Sequence, residues 1–184
     1  MHPDLESPSG HDWFAVQVRV GCEPRSGREL CLRGCEVFLP TYRESRRWSD
    51  RVKTIDRALF PGYLFCQFHS EISRKVVTTP GVIRILADSN APSPIPAREI
   101  ETIRRIVDTR LHAEPWPFLK AGHRVRVERG PLRGAEGAVL MVKNGHRLVV
   151  SIPLLQRSVA VEIDLDWVSV PYQSLISAEL NASV

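Results

Sequence analysis

Between Trp13 and Leu111 the hydrophobic pattern runs strand, helix, strand, strand, helix, strand, and then one more helix. Few folds accept that order. Trp13–Val20 alternates: Phe14, Val16, Val18 and Val20 share one face, and Gln17 and Arg19 lie on the other. Pro24 opens a helix at no loss, because the first turn has no use for its missing N–H. Leu30 and Cys31 give that helix an apolar side, and Gly34 suits a left-handed cap. A second strand is read over 36–41 and a third over 60–68. In the third, Tyr63, Phe65 and Gln67 face one way and Leu64, Cys66 and Phe68 the other. Ser70 is read as the N-cap of a short helix through Val77, Pro80-Gly81 as a turn, and 82–86 as a fourth strand. Ile100, Ile103, Val107 and Leu111, with Ile106 alongside, follow helical spacing.

The order β-α-β-β-α-β predicts a split-βαβ, ferredoxin-like domain: a four-stranded antiparallel sheet with helices on one face. Its other face is then left open for a partner. Glu114-Pro115-Trp116-Pro117 breaks the last helix and starts a linker, in which Trp116 and Phe118 are expected to pack on something. After Gly122 the texture changes to short strands and turns. His123–Glu128, Gly137–Val142, Leu148–Ile152, Val159–Ile163 and Trp167–Val170 read as five strands, with Asn144-Gly145 as a hairpin turn. They suggest a small SH3-like barrel. The expected class is α+β: a tail over 1–12, a domain over 13–112, a linker over 113–120, a barrel over 121–172 and a tail over 173–184.

Residues 42–57 interrupt the first domain with six cations against Glu44, Asp50 and Asp56, which is most of a net charge of +4 in the whole chain. We read this segment as a long exposed hairpin. Its Arg46, Arg47, Arg51 and Lys53 are candidates for phosphate contacts, and Trp48 for stacking on a base.

The remaining composition excludes more than it identifies. With 184 residues, 43% hydrophobic and 25% charged, the chain is neither disordered nor fibrous. No apolar run approaches the roughly 18–20 residues of a membrane span. Residues 1–12 lack an apolar signal core, so a cytoplasmic protein without a membrane partner is expected. Cys22, Cys31, Cys35 and Cys66 form no Cys-x-x-Cys pair and are read as small buried hydrophobes. The six histidines are scattered, and no nucleophile elbow, phosphate loop or zincin motif is present. We expect no enzyme, no cofactor and no metal, and a monomer.

Three segments in order carry a family resemblance. They are Trp13-Phe14-Ala15-Val16 with Phe38-Leu39-Pro40; Leu59-Phe60-Pro61-Gly62-Tyr63-Leu64-Phe65 with Thr79-Pro80-Gly81-Val82; and Gly122–Val127 with Gly130-Pro131-Leu132-Arg133-Gly134 and Gly137. Together, over about residues 13–170, they resemble the bacterial NusG family, with an N-terminal domain and a KOW domain. The resemblance implies a transcription elongation and antitermination factor that grips the clamp of RNA polymerase and acts on pausing and termination. Trp13, Phe14, Phe60, Tyr63 and Phe65 would form the polymerase patch, with Tyr63 and Phe65 outward. It also implies that the 42–57 hairpin lies near upstream or non-template DNA. Gly130, Pro131, Leu132, Gly134 and Gly137 would shape the KOW turn, and the barrel would contact a ribosomal protein or Rho. Leu132 stands where an aromatic is usual, and Leu155-Gln156-Arg157 replaces a Phe-Gly-Arg turn. These departures resemble a specialised paralogue serving particular operons and set Rho binding in question. The rival is an RNA-binding or ribosome-associated KOW protein, since Gly62–Phe68 resembles the aromatic strand of RNA-recognition modules, which share the fold.

Overall fold

The structure, a computed structural model, describes residues 12–47, 52–69, 72–88, 91–109, 111–119, 124–142 and 145–168. In chain order its elements are β1 (Asp12–Val18), α1 (Glu23–Leu32), β2 (Glu36–Phe38), β3 (Thr41–Arg47), β4 (Val52–Ala58), β5 (Tyr63–Phe68), α2 (Ser73–Val77) and β6 (Val82–Ile85). The short strands β7 (Ala87–Asp88), β8 (Ala91–Pro92) and β9 (Pro94–Ile95) lead into α3 (Ala97–Asp108). Then come β10 (Ala113–Trp116), β11 (Arg124–Arg126), β12 (Glu136–Val142), β13 (Gly145–Ile152) and β14 (Arg157–Ile163). The fold is mixed and strand-rich, and no described helix is long and apolar enough to cross a membrane. Two compact units divide it: residues up to Leu39 with Gly62–Ala97, and Pro40–Pro61 with Arg98 onward.

In the first unit the antiparallel sheet runs β2-β5-β1-β6, with β9 added beside β1. Alternation does what it predicts on one face. Phe14, Val16, Val18, Leu64, Cys66, Phe68 and Ile85 form a buried cluster with Leu30 of α1 and Val76 of α2. Phe14 and Phe68 stack at 4.6 Å inside it. Helix α1 starts with Pro24 in its first turn and ends in a Schellman cap. The Cys35 N–H donates to Leu30 O at 3.1 Å and the Gly34 N–H to Cys31 O at 3.0 Å, with Gly34 at φ +90°. At the end of α2, the Thr78 hydroxyl donates to Arg74 O, and Arg33 of α1 donates to Lys75 O at 3.1 Å. Ser70 lies outside the described residues; α2 starts after Ile72 without a side-chain cap.

The expectation of an open second face is corrected. Trp13, Ala15 and Phe65 lie on that face and are buried. Phe65 stacks on Phe38 at 6.0 Å. The period-2 rule assigns residues to faces and says nothing of what covers each face.

In the second unit β3 and β4 pair as the expected hairpin, from Thr41↔Ala58 to Arg47↔Val52. The second strand expected over 36–41 is split: β2 ends at Phe38 and Thr41 opens the hairpin. Helix α3 buries Ile100, Ile103 and Ile106, with Val107 half-buried; it ends at Asp108, so Leu111 is not part of its stripe.

A five-stranded antiparallel sheet runs β10-β14-β13-β12-β11. Its fifth strand is not the one expected. Ala113–Trp116, read as the start of a linker over 113–120, pairs in register with Val161–Ser158. Pro115 sits there without conflict, because β10 is an edge strand and one missing donor can face outward. Of the strand expected over Trp167–Val170, residues 169 and 170 lie outside the described residues, and Val168 bridges to Val127. Trp116 belongs to this sheet, with the Arg147 guanidinium 5.4 Å over its ring and Glu114 paired to Arg147.

Candidate functional site

The five aromatics proposed as a surface patch are placed very differently. Phe14 is in the helix-covered core. Trp13, Phe60 and Phe65 are buried, Phe65 completely. Tyr63 alone of the five is half-exposed. Among these five, an exposed aromatic cluster is therefore not what the sequence builds; it builds one half-buried tyrosine at the end of a packed sheet face.

That end is strongly fixed. Gly62 adopts φ +82°, a region that only glycine enters freely. A Cβ there would stand 3.3 Å from the Val20 side chain and 3.5 Å from Val18 O. The Val18 N–H donates to Gly62 O at 2.8 Å. The Gly62 N–H donates to Glu23 Oε1, also at 2.8 Å. Glu23 is buried, so this carboxylate is the internal acceptor that lets the turn's N–H leave water. Nearby, the Arg19 N–H donates to Gly81 O at 2.9 Å and the Ser26 hydroxyl to Pro80 O at 3.0 Å. A Cβ on Gly81 would fall 2.4 Å from that hydroxyl oxygen. Three chain segments, around Arg19, Gly62 and Gly81, thus converge at one end of the sheet.

Across this end, the register places Tyr63 opposite Gln17 and Gln17 opposite Arg84, so the three share a face in one row. The Arg84 Nε–H donates to Gln17 Oε1 at 2.9 Å. Sequence reading missed Glu23, Gln17 as a site residue, and Arg84. Gln17 and Arg84 break the apolar pattern of their strands, which was the available signal. Nothing local marks Glu23, because its partner lies 39 residues away.

The hairpin is legible in backbone terms. One face carries the pairs Tyr42–Arg57, Glu44–Ile55 and residue 46–Lys53; the other carries Arg43–Asp56 and Ser45–Thr54. Arg57 forms an ion pair with Glu44 on its diagonal. Towards the tip, the register sets the cationic positions 46 and 53 directly opposite each other, with Lys53 exposed. Trp48 and Arg51 lie outside the described residues, as do the side chains of Arg46 and Arg47.

In the turn between β11 and β12, Gly130 (φ +76°) lies against the Trp167 ring, 2.6 Å from where a Cβ would be. The Gly134 N–H donates to Val127 O at 2.7 Å and the Val127 N–H to Ala135 O at 2.9 Å. Gly137 crosses β13 so closely that a Cβ would be 2.5 Å from Val149 O. Pro131 is exposed, and Leu132 is completely buried. Leu132 is therefore a core residue of this turn and not a displayed one. At Leu155-Gln156-Arg157, Gln156 takes the left-handed conformation itself (φ 51°, ψ 44°), and its Nε2 donates to Pro153 O at 2.8 Å.

The cysteine expectation holds for two of four. Cys35 and Cys66 are buried, and burial pushes both thiols above their ordinary pKa, with neighbouring cysteines adding to the effect. Cys31 is exposed and Cys22 half-buried, against the expectation. Cys31 is at the C-terminal end of α1, outside the apolar stripe set by Leu30.

The family model described as "Transcription termination factor nusG" matches residues 11–104. The transcription termination/antitermination protein NusG of Helicobacter pylori strain J99 is 25% identical over 167 residues, covering 83% of this chain and 94% of that protein. Its counterpart from Campylobacter jejuni is 28% identical over 171 residues, covering 84% and 94%. That from Deinococcus radiodurans is 28% identical over 188 residues, covering 86% and 98%. The solved structure titled "Domain interaction in Thermotoga maritima NusG" superposes with a TM-score of 0.55 at 20% identity, over 86% of this chain and 96% of that one, which shows a shared fold. With the family model spanning half of its residues and these relatives aligned along most of its length, the chain belongs to the NusG family of transcription termination and antitermination proteins.

Proposed function

We propose that this chain is a transcription elongation and antitermination factor that holds the clamp of RNA polymerase through the sheet end around Tyr63, and that it modulates pausing and termination on particular operons. The observation that carries the reading is the Glu23-anchored Gly62 turn, which presents Tyr63 within the stretch that matches the family. A fixed, half-exposed tyrosine is a suitable interface anchor, because it offers a large apolar area at small entropic loss. Phe65 and Trp13 serve as packed interior of the same sheet face.

The strand order β2-β5-β1-β6, with two helices on one face, supports a ferredoxin-like first domain. The five-stranded order ending in β10 supports a small SH3-like KOW barrel. For the hairpin, Arg46, Arg47, Trp48, Arg51 and Lys53 are the proposed contacts to upstream or non-template DNA. Opposed cations at 46 and 53 oppose hairpin closure by themselves, and a phosphate between them removes that conflict. The departures at Leu132 and Gln156 support a specialised paralogue.

An RNA-recognition module would need Tyr63 and Phe65 side by side as an open stacking platform. The complete burial of Phe65 argues against that rival. The test is co-purification of the full chain with tagged RNA polymerase. Tyr63→Ala is expected to abolish recovery while leaving RNA affinity unchanged; loss of RNA binding with polymerase recovery intact would favour the rival. Chromatin immunoprecipitation is expected to give signal on a few transcription units, and uniform occupancy would overturn the operon-specific part.

A further inference from the structure

The turn end of the first-unit sheet combines three properties seldom found together on a solvent-facing surface. It is apolar: Val20 is 76% exposed and Ile83 54% exposed. It is cationic: Arg19 and Arg84 are exposed, and neither has an ion-pair partner among the described residues. It is rigid: the segments around Arg19, Gly62 and Gly81 are tied by the backbone and carboxylate bonds given above.

The exposure of Ile83 has a local cause. The pairing of β1 with β6 slips between Gln17 and Val18, from Gln17↔Arg84 to Val18↔Val82, leaving Ile83 as the extra residue of a bulge. Bulges on outer strands commonly re-aim side chains at functional sites. Arg84 is the last residue paired before the bulge, opposite Gln17, and so stands in line with Gln17 and Tyr63. Gln17 takes the Nε–H of Arg84 and so fixes the plane of the guanidinium. The two terminal nitrogens remain, in the fork that fits a carboxylate. The one acid in these segments, Glu23, is buried and committed to Gly62.

We propose that Tyr63, Gln17, Arg84, Val20 and Ile83 form one docking surface for an acidic protein segment, with Arg84 as the specificity-determining cation and Gln17 as its positioning residue. This rests on the polymerase reading above and names the chemistry of the contact: a carboxylate on the polymerase flanked by apolar side chains. Charge complementarity selects an acidic occupant. The exposed valine and isoleucine select a protein over a nucleic-acid backbone, which would be served by further cations in their place.

The test uses the full chain and purified RNA polymerase, with affinity measured at low and high salt. Arg84→Glu is expected to weaken binding at least tenfold and to flatten its salt dependence. Arg84→Lys, which keeps the charge and loses the fork, is expected to weaken it about threefold, and Gln17→Ala to a similar degree by freeing the arginine. Arg84 is exposed, so thermal unfolding of these variants should match the parent and exclude misfolding as the cause. If Tyr63→Ala abolishes binding and Arg84→Glu leaves it unchanged, the Arg84 inference fails and the polymerase reading stands. If neither changes polymerase affinity, the polymerase reading itself fails. If Arg84→Glu weakens binding to single-stranded DNA and not to polymerase, the surface takes phosphate and the proposal is overturned.

Discussion

The Pro61–Gly62 turn and the Gly130–Gly134 turn use the same residue types and hold them by different means. In the first, a buried carboxylate from α1 accepts the turn's N–H, and the next residue, Tyr63, reaches solvent. In the second, backbone bonds to Val127 and Ala135 close the loop, the Trp167 ring covers Gly130, and Leu132 turns inward. One turn displays a side chain and the other plugs a core. Glycine and proline specify that the chain turns; the bonding partner, often distant in sequence, decides what the turn is for.

The comparison makes separable predictions. Leu132→Ala should have the largest effect, about 3 kcal/mol lost from stability by cavity formation, seen as a lower urea midpoint. Polymerase affinity should change little in the folded fraction. If instead affinity falls while the midpoint holds, the Gly130–Gly134 turn displays Leu132 and the contrast fails. Tyr63→Ala should do the reverse: about 2 kcal/mol or more lost in polymerase binding and under about 1 kcal/mol in unfolding.

Glu23→Ala tests the means of holding. It leaves the Gly62 N–H without its buried acceptor, and should remove about 1–3 kcal/mol of stability and weaken polymerase binding through the displaced turn. Glu23→Gln keeps an acceptor oxygen and should recover more than half of both losses. Equal losses for the two substitutions would mean that the charge, rather than the hydrogen bond, holds the turn.

The same contrast explains what could be read from the sequence. The strand faces of the helix-covered side, the Gly34 cap and a hairpin over 42–57 were legible because they follow from local period and conformation, although the hairpin pairing starts one residue earlier, at Thr41↔Ala58. The open second face was not, because alternation around Phe65 is identical whether that face meets water or protein. The strand at 113–116 was hidden by Pro115, which argues for a linker until the edge position removes the objection. Glu23 and Arg84 were missed because their roles depend on residues 39 and 67 positions away.

A third turn sharpens the comparison, with the smallest expected effect. At Leu155-Gln156-Arg157 the left-handed position is filled by glutamine, the described residues' one non-glycine at positive φ. Leaving glycine out there carries about 1 kcal/mol of backbone strain. Two things offset it: the Nε2 bond to Pro153 O, and the lower entropy of an unfolded chain without the glycine. Gln156→Gly should therefore change the unfolding free energy, read from urea titration, by no more than about 0.5 kcal/mol. Gln156→Ala keeps the strain, loses the bond, and should fall about 0.5 kcal/mol below the parent. An alanine variant as stable as the parent would show that the side-chain bond contributes nothing. In that case Gln156 does not hold this turn, and the exposed Gln156-Arg157 pair has no structural role there.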